Sequence, residues 1–217
     1  MKKGLIVLAF AFLFAASFAS AEILISQPAS TYNYGDVMNV SITVVPQAAA
    51  NDYLSVKLIC DGKEAEIHRA IYELAAGENK AVYLLARLDS AIIGDVAGNC
   101  FIKASYAGEE KDSQYFIITK NVDVIATIDG SFIEPGNEFG VSGRAIKTNG
   151  ELLNGFVEFS SKELNIATSE VVSNGDFRVN LTVPSDAMPG DYLINIKAYE
   201  KDSNGVVSNE GGGTVGL

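Results

Sequence analysis

Residues 135–145 read Pro-Gly-Asn-Glu-Phe-Gly-Val-Ser-Gly-Arg-Ala, and residues 34–44, Tyr-Gly-Asp-Val-Met-Asn-Val-Ser-Ile-Thr-Val, lie over them without a gap at an offset of 101. Gly35 falls on Gly136, Asp36 on Asn137, Met38 on Phe139, Val40 on Val141 and Ser41 on Ser142. Each copy reads as a glycine turn feeding a strand of alternating polarity. Self-similarity at a fixed period is the first sign of repeated architecture, and about 100 residues is the size of one small all-β domain. Two such domains are therefore expected in tandem, over 22–120 and 121–217.

Residues 1–21 stand apart. Lys2 and Lys3 precede an apolar run from Leu5 to Phe18 broken only by Ser17, and Ala19-Ser20-Ala21 is a small-residue cleavage site. That pattern is a cleavable secretory signal peptide, cut after Ala21. A retained N-terminal anchor is the plain alternative. Lys2-Lys3-Gly4 also resembles the prepilin-type signals of type IV pilins, although Leu5 and Ile6 follow the glycine where those signals carry a polar residue. Pro28 would break the long helix such a signal requires.

Removing Lys2 and Lys3 from the 16 Lys+Arg leaves 14 against 27 Asp+Glu, a net charge of −13. Such a chain repels nucleic acid and anionic lipid, so neither is an expected partner. No second apolar run follows the leader, and no stable membrane insertion is expected after its cleavage. The expected location is secreted or cell-surface.

The strand pattern repeats in both parts. Met38, Val40, Ile42 and Val44 alternate with polar residues, and Leu54, Val56, Leu58 and Cys60 share one side of the next strand. Asp61-Gly62 marks a hairpin. Lys63–Leu74 has apolar spacing open to helix or strand, and its place between a hairpin and the Lys80–Leu88 strand favours strand. Leu88–Gly98 reads as a crossover loop. Cys100, Ile102, Ala104 and Tyr106 then face inward, and Tyr115–Thr119 closes the first domain.

In the second, strands are expected over Val122–Ile128, Glu138–Lys147, Phe156–Ser160, Ile166–Val172, Asp176–Val183 and Tyr192–Tyr199. The dipeptides Asp129-Gly130, Asn149-Gly150, Asn154-Gly155, Asn174-Gly175 and Asn204-Gly205 punctuate them as tight turns. The last strand, around Val206, Val207 and Gly211-Gly212-Gly213, is expected to be weak or incomplete. Thr119–Val122 holds no flexible segment, which favours a stiff tandem. Short strands at this spacing, without amphipathic helices between them, give an all-β sandwich.

Pro184–Tyr199, with Gly190-Asp191-Tyr192 entering an alternating strand, resembles the E–F corner of immunoglobulin-like and macroglobulin-like repeats of archaeal and bacterial cell-surface proteins. Gly98-Asn99-Cys100-Phe101-Ile102 is the related stretch of the first domain, with Cys100 standing where Tyr192 does. The resemblance implies two tandem immunoglobulin-like β-sandwiches and a structural or adhesive role at the cell surface, with a cell-envelope protein or glycan as partner. It carries no catalytic residues. In such a sheet strands C and F are antiparallel neighbours, so the ends holding Cys60 and Cys100 lie side by side, and an exported chain makes a disulfide of them. Closing a loop of this length contributes on the order of 4 kcal/mol in the chain-entropy model.

The remaining candidates are weaker. His68, the single histidine, sits on a presumed strand with no nucleophile motif around any serine, so a rim position is expected and no catalytic residue is assigned. Carboxylates are many but none forms an evident glycosidase pair. Asp202-Ser203-Asn204-Gly205 resembles the start of a calcium loop whose ligand pattern then stops, which leaves a turn. A calcium site near Asp123, Asp129 or Glu134 is the other alternative. No metal or cofactor is expected. Asn39-Val40-Ser41 and Asn180-Leu181-Thr182 are N-glycosylation sequons on the polar faces of their strands. The competing function is a carbohydrate-binding accessory module of an exported enzyme system. Tyr32, Tyr34, Tyr53, Tyr72 and Tyr83 speak for it, and the absence of tryptophan speaks against it.

Overall fold

The two copies of the opening stretch make the same hydrogen bonds in a computed structural model that describes residues 21–130 and 132–217. Gly35 donates its N–H to the Leu88 carbonyl at 2.8 Å, and Gly136 donates to Val183 at 2.9 Å. The return bonds run from Leu88 N–H to Asp36 at 2.8 Å and from Val183 N–H to Asn137 at 3.0 Å. Both glycines sit in the left-handed region, at φ 92° and 86°, where a side chain would be strained. The signal peptide expected over residues 1–21 lies outside the described residues except for Ala21, which opens the first strand opposite Pro46.

In chain order the first part carries β1 (Ala21–Ile25), β2 (Thr31–Asn33), β3 (Val37–Pro46), β4 (Ala50–Cys60), β5 (Lys63–Leu74) and β6 (Lys80–Arg87). A one-turn helix α1 (Ser90–Ile93) precedes β7 (Gly98–Tyr106), β8 (Glu109–Asp112) and β9 (Phe116–Thr119). The second part carries β10 (Val122–Ile128), β11 (Glu138–Lys147), β12 (Gly155–Ser161) and β13 (Ile166–Val172). It ends with β14 (Asp176–Thr182), β15 (Leu193–Lys201) and β16 (Val207–Gly216).

Four sheets form. The order β1-β3-β6 faces β2-β9-β7-β4-β5, and β10-β11-β14 faces β13-β12-β15-β16. Each pair encloses its own cluster of buried side chains. Met38, Ile42, Leu58, Ile102 and Ile118 belong to one, and Phe139, Val157, Phe159, Phe177 and Ile196 to the other. Strand alternation drives this, since β3 buries Met38, Val40, Ile42 and Val44 while Val37 and Asn39 stay outside. The chain is nearly all β, with the character of a β-sandwich.

Lys63–Leu74 is strand throughout, as expected, paired antiparallel with β4 around a bulge at Val56/Lys57. Other expectations change. The expected crossover loop contains α1, because the Asp89 carboxylate caps it by accepting from the N–H groups of Ala91 and Ile92. Thr31–Asn33 pairs parallel with β9, a non-local contact that Pro28–Tyr34 does not announce. Asn154-Gly155 is no hairpin turn. Gly155 begins β12, and the Asn154 side chain accepts from Asn174 N–H at 2.8 Å.

The last strand is not weak. β16 runs for 10 residues and pairs with β15 from Leu193 to Lys201. The glycines that suggested fraying make room for β10 instead. A Cβ on Gly211 would lie 1.7 Å from the Val122 carbonyl oxygen, and one on Gly213 would meet the Val124 oxygen at 3.2 Å. Gly211→Ala is expected to lower stability by about 3 kcal/mol through backbone overpacking, measured by urea unfolding. A change under half a kcal/mol would mean that β10 does not approach β16 this closely.

Candidate functional site

Between the two cores the chain passes through Lys120 and Asn121, and a cluster of polar side chains closes over that passage. Asn33 ends β2 and is fully buried. Its backbone N–H donates to the Asp36 carboxylate at 2.6 Å, and its side-chain nitrogen donates to the Asn121 carbonyl and to Asn209 Oδ1, both at 3.0 Å. Its Oδ1 accepts from the N–H of Asn149 at 3.0 Å, and the Asn149 side chain donates to Asp36 at 2.8 Å. Asn209, also fully buried, donates to the Tyr34 carbonyl at 2.7 Å and to the Glu200 carboxylate. Lys147 holds that carboxylate at 3.3 Å, with both side chains mostly buried.

Local chemistry explains why these residues are here. Asp36 is the turn residue of the repeated stretch, and asparagine and aspartate side chains bond the backbone of such turns. Asn149 belongs to the Asn149-Gly150 turn after β11, which presents its free N–H toward Asn33. A buried amide left without partners is expensive, so this mutually satisfied set permits one arrangement of the two parts and penalises others.

A second group flanks the cluster. Lys120 lies 2.8 Å from Asp95 and 4.4 Å over the ring of Tyr34, whose hydroxyl donates to the Gly94 carbonyl. Ser90 Oγ donates to Asp202 at 2.9 Å. Thus the corner between β6 and β7 touches the turn between β15 and β16. The Lys120 hydrogen bond and charge hold the Asp95 carboxyl below its ordinary range. The Ser90 hydrogen bond does the same for Asp202, helped by the N–H groups of Val206 and Asn204. Burial, then the charges of Asp95, Asp89 and Asp202, push Tyr34 up to about 12.

The signs fix the pH response. Depressed carboxyls stabilise the folded state above their ordinary value near ~3.9, and that contribution is lost as pH falls further. Tyr34 is raised, so its contribution is present below its ordinary value near ~10 and is lost as pH rises toward about 12. The contacts between the two parts are therefore expected to hold from pH 5 to 9 and to loosen at either extreme, read by small-angle scattering. Loosening between pH 6 and 8 would contradict this assignment.

The sequence-derived candidates fall elsewhere. Cys60 and Cys100 are direct cross-strand partners on β4 and β7, joined in a disulfide with their Cα atoms 4.0 Å apart. The structure corrects the alignment of Cys100 with Tyr192. Continuing the β12–β15 register one step past Ser160–Asn195 puts Ser161 and Ile194, both buried, where the first part has the cystine. Tyr192 lies two residues earlier, and its hydroxyl donates to the Met188 carbonyl across the corner. His68 is half-buried at the rim on β5, stacked on Tyr72 with ring centroids 6.4 Å apart. Its Nε2 is buried without a hydrogen-bond partner among the described residues.

Asp202 forms a turn, accepting from Asn204 and Val206 N–H at 2.9 and 3.0 Å. Asp129 pairs with Arg178 at 2.9 Å. Among the described residues no group of three or more His, Cys, Asp or Glu side chains could hold a metal ion. Tyr32 and Tyr34 are core residues, Tyr72 is half-buried and only Tyr53 and Tyr83 are exposed, so the five tyrosines form no common platform. Asn39 and Asn180 are exposed on β3 and β14. The Asn33–Asn209 link escaped sequence reasoning because its partners lie 176 residues apart and no motif marks either.

No family model and no curated protein matches the chain. Among solved structures it is similar to β-glucosidase from Listeria innocua, with TM-score 0.38 and 14% identity over 47% of this chain and 16% of that one. It is also similar to red sea bream transglutaminase, with TM-score 0.38 and 11% identity over 99% and 33%. The third is Escherichia coli alpha-2-macroglobulin activated by porcine elastase, with TM-score 0.33 and 13% identity over 91% and 20%. The chain thus spans a third or less of each of these neighbours, and similarity at this level carries no statement about activity. Among the described residues no helix is long and apolar enough to cross a membrane.

Proposed function

We propose that the chain is an exported, non-catalytic surface module whose two immunoglobulin-like β-sandwich domains, 22–120 and 121–217, act as one stiff structural or adhesive unit. The observation that carries this reading is the buried Asn33–Asn209 link with its partners Asn121, Asn149, Tyr34 and Glu200. A flexible string of beads has no use for fully desolvated, mutually satisfied amides at its joint, whereas a spacer of fixed angle does. The cystine suits an oxidising compartment, and the acidic surface suits an extracellular one. The test is co-sedimentation of Glu22–Leu217 with envelopes of its own host and with insoluble polysaccharides. Pelleting with envelopes alone supports the surface role.

One observation favours the carbohydrate-binding reading. A groove of about 380 Å³ on the outer face of β4 and β5 is lined by Asp52, Tyr53, Glu66, Arg69, Glu109 and Glu110. That chemistry suits hydroxyl groups, yet the Arg69 guanidinium lies 4.5 Å over the Tyr53 ring and occupies the face a sugar would stack on. Pelleting with one polysaccharide, abolished by Tyr53→Ala, would make this the better reading.

A further inference from the structure

The outer face of the β1-β3-β6 sheet carries large apolar side chains in water. Tyr83 is 77% exposed, Leu85 72% and Val37 58%, and all three project from β6 and β3. β6 is the outer strand of its sheet, with one backbone edge unpaired among the described residues. Apolar surface beside an open strand edge is an association hazard that folded proteins cover or charge.

Register puts one residue in the middle of this strip. Asn39 is directly opposite Leu85, Ser41 is opposite Tyr83 and Val37 is opposite Arg87. Antiparallel diagonals are within reach of long side chains, so Asn39 has Leu85 beside it, Tyr83 and Arg87 on its diagonals and Val37 two residues away. Asn39 is the acceptor position of Asn39-Val40-Ser41 and points outward. The other sequon has different surroundings. Asn180 is opposite Gly140, with Arg178, Thr182, Glu138 and Ser142 around it on the same face.

We propose that Asn39 carries an N-linked glycan whose first sugars cover Leu85, Tyr83 and Val37 and shield the edge of β6. In the transfer, Asn39 Nδ2 attacks the anomeric carbon of a lipid-phosphate-linked oligosaccharide. The new bond is Nδ2–C1, and the C1–oxygen bond to phosphate breaks. Lipid phosphate leaves with the electron pair, and one Nδ2 proton passes to a base of the transferring enzyme. Because Asn39 is an outward position, its substitution leaves the inward register of β3 unchanged, and the sheet closes with the glycan in place. The inference shares with the proposed function only the export of the chain.

The test is secretion of the full chain from a host with asparagine-linked glycosylation. Trypsin releases Glu22–Lys57, which contains no other sequon, and its mass reports the glycan. Expected is a glycosylated peptide. Asn39→Gln is expected to raise hydrophobic-dye fluorescence about threefold and to produce concentration-dependent oligomers. Adding Tyr83→Ser and Leu85→Thr should abolish both effects, and Asn180→Gln should cause neither. A secreted chain with an unmodified Glu22–Lys57 peptide overturns the proposal without touching the export reading. So does a glycosylated chain whose Asn39→Gln variant binds dye and associates no more than the parent.

Discussion

Cys60→Ala with Cys100→Ala lowers the stability of residues 21–120 by about 4 kcal/mol, and its melting midpoint falls on the order of 20 °C. The cystine spans a sequence separation of 40 and ties the last residue of β4 to the start of β7. Without it the unfolded chain regains that loop freedom, and the native sheet loses buried sulfur on the inner face. Both cysteines are fully buried, so reductant reaches the bond only after the sheet opens. Mild thiol at neutral pH should therefore leave the folded protein oxidised for hours, while the same thiol in denaturant reduces it at once. Calorimetry of parent and double variant checks the magnitude. A midpoint shift of only a few degrees would mean that the cystine constrains the unfolded chain little.

Asn33→Leu is the second large effect, with an expected loss of about 3 kcal/mol. The substitution keeps the branched skeleton of asparagine, puts two bulkier methyl groups in place of the amide oxygen and nitrogen, and removes every polar atom beyond Cβ. Asn209 Oδ1 is then buried without a partner among the described residues, the half-buried Asn149 N–H loses its acceptor, and the Asn121 carbonyl keeps only its bonds from Thr148. Paired with Asn209→Leu, it should show a coupling of about 1–2 kcal/mol, because the two side chains share one hydrogen bond. The cores should stay intact, since Met38, Leu58 and Phe159 belong to the two apolar clusters and make none of the junction's side-chain hydrogen bonds. Urea unfolding monitored separately in each half distinguishes loss of coupling from loss of a core. Equal destabilisation of the β12–β15 sheet interior would contradict the assignment.

Much of the fold is legible in the residues because strands bury alternate positions and the period of two survives translation into structure. Met38 to Val44 and Phe177 to Val183 are read this way. So are the Asp61-Gly62 hairpin and the Asn174-Gly175 tight turn, whose turn residues all take positive φ. What failed was non-local. Gly211 and Gly213 look like strand breakers until β10 is laid against them, and Thr31–Asn33 has no local reason to be a strand until β9 arrives beside it. The cystine was legible through the resemblance to immunoglobulin-like sheets, which sets strands C and F side by side, and through the presence of just two cysteines in the sequence. The Asn33–Asn209–Asn149 set was not, because exposed turn asparagines and buried junction asparagines have identical local sequence signatures.

The central claim is that the two halves form one stiff unit through the buried asparagines. Its most direct test is a spin-label distance distribution between Glu110→Cys and Glu170→Cys, exposed positions on β8 and β13. The account predicts a single narrow distribution that is unchanged from pH 5 to 9 and broadens markedly with Asn33→Leu. A broad distribution in the parent, or a narrow one indifferent to Asn33→Leu, would contradict it.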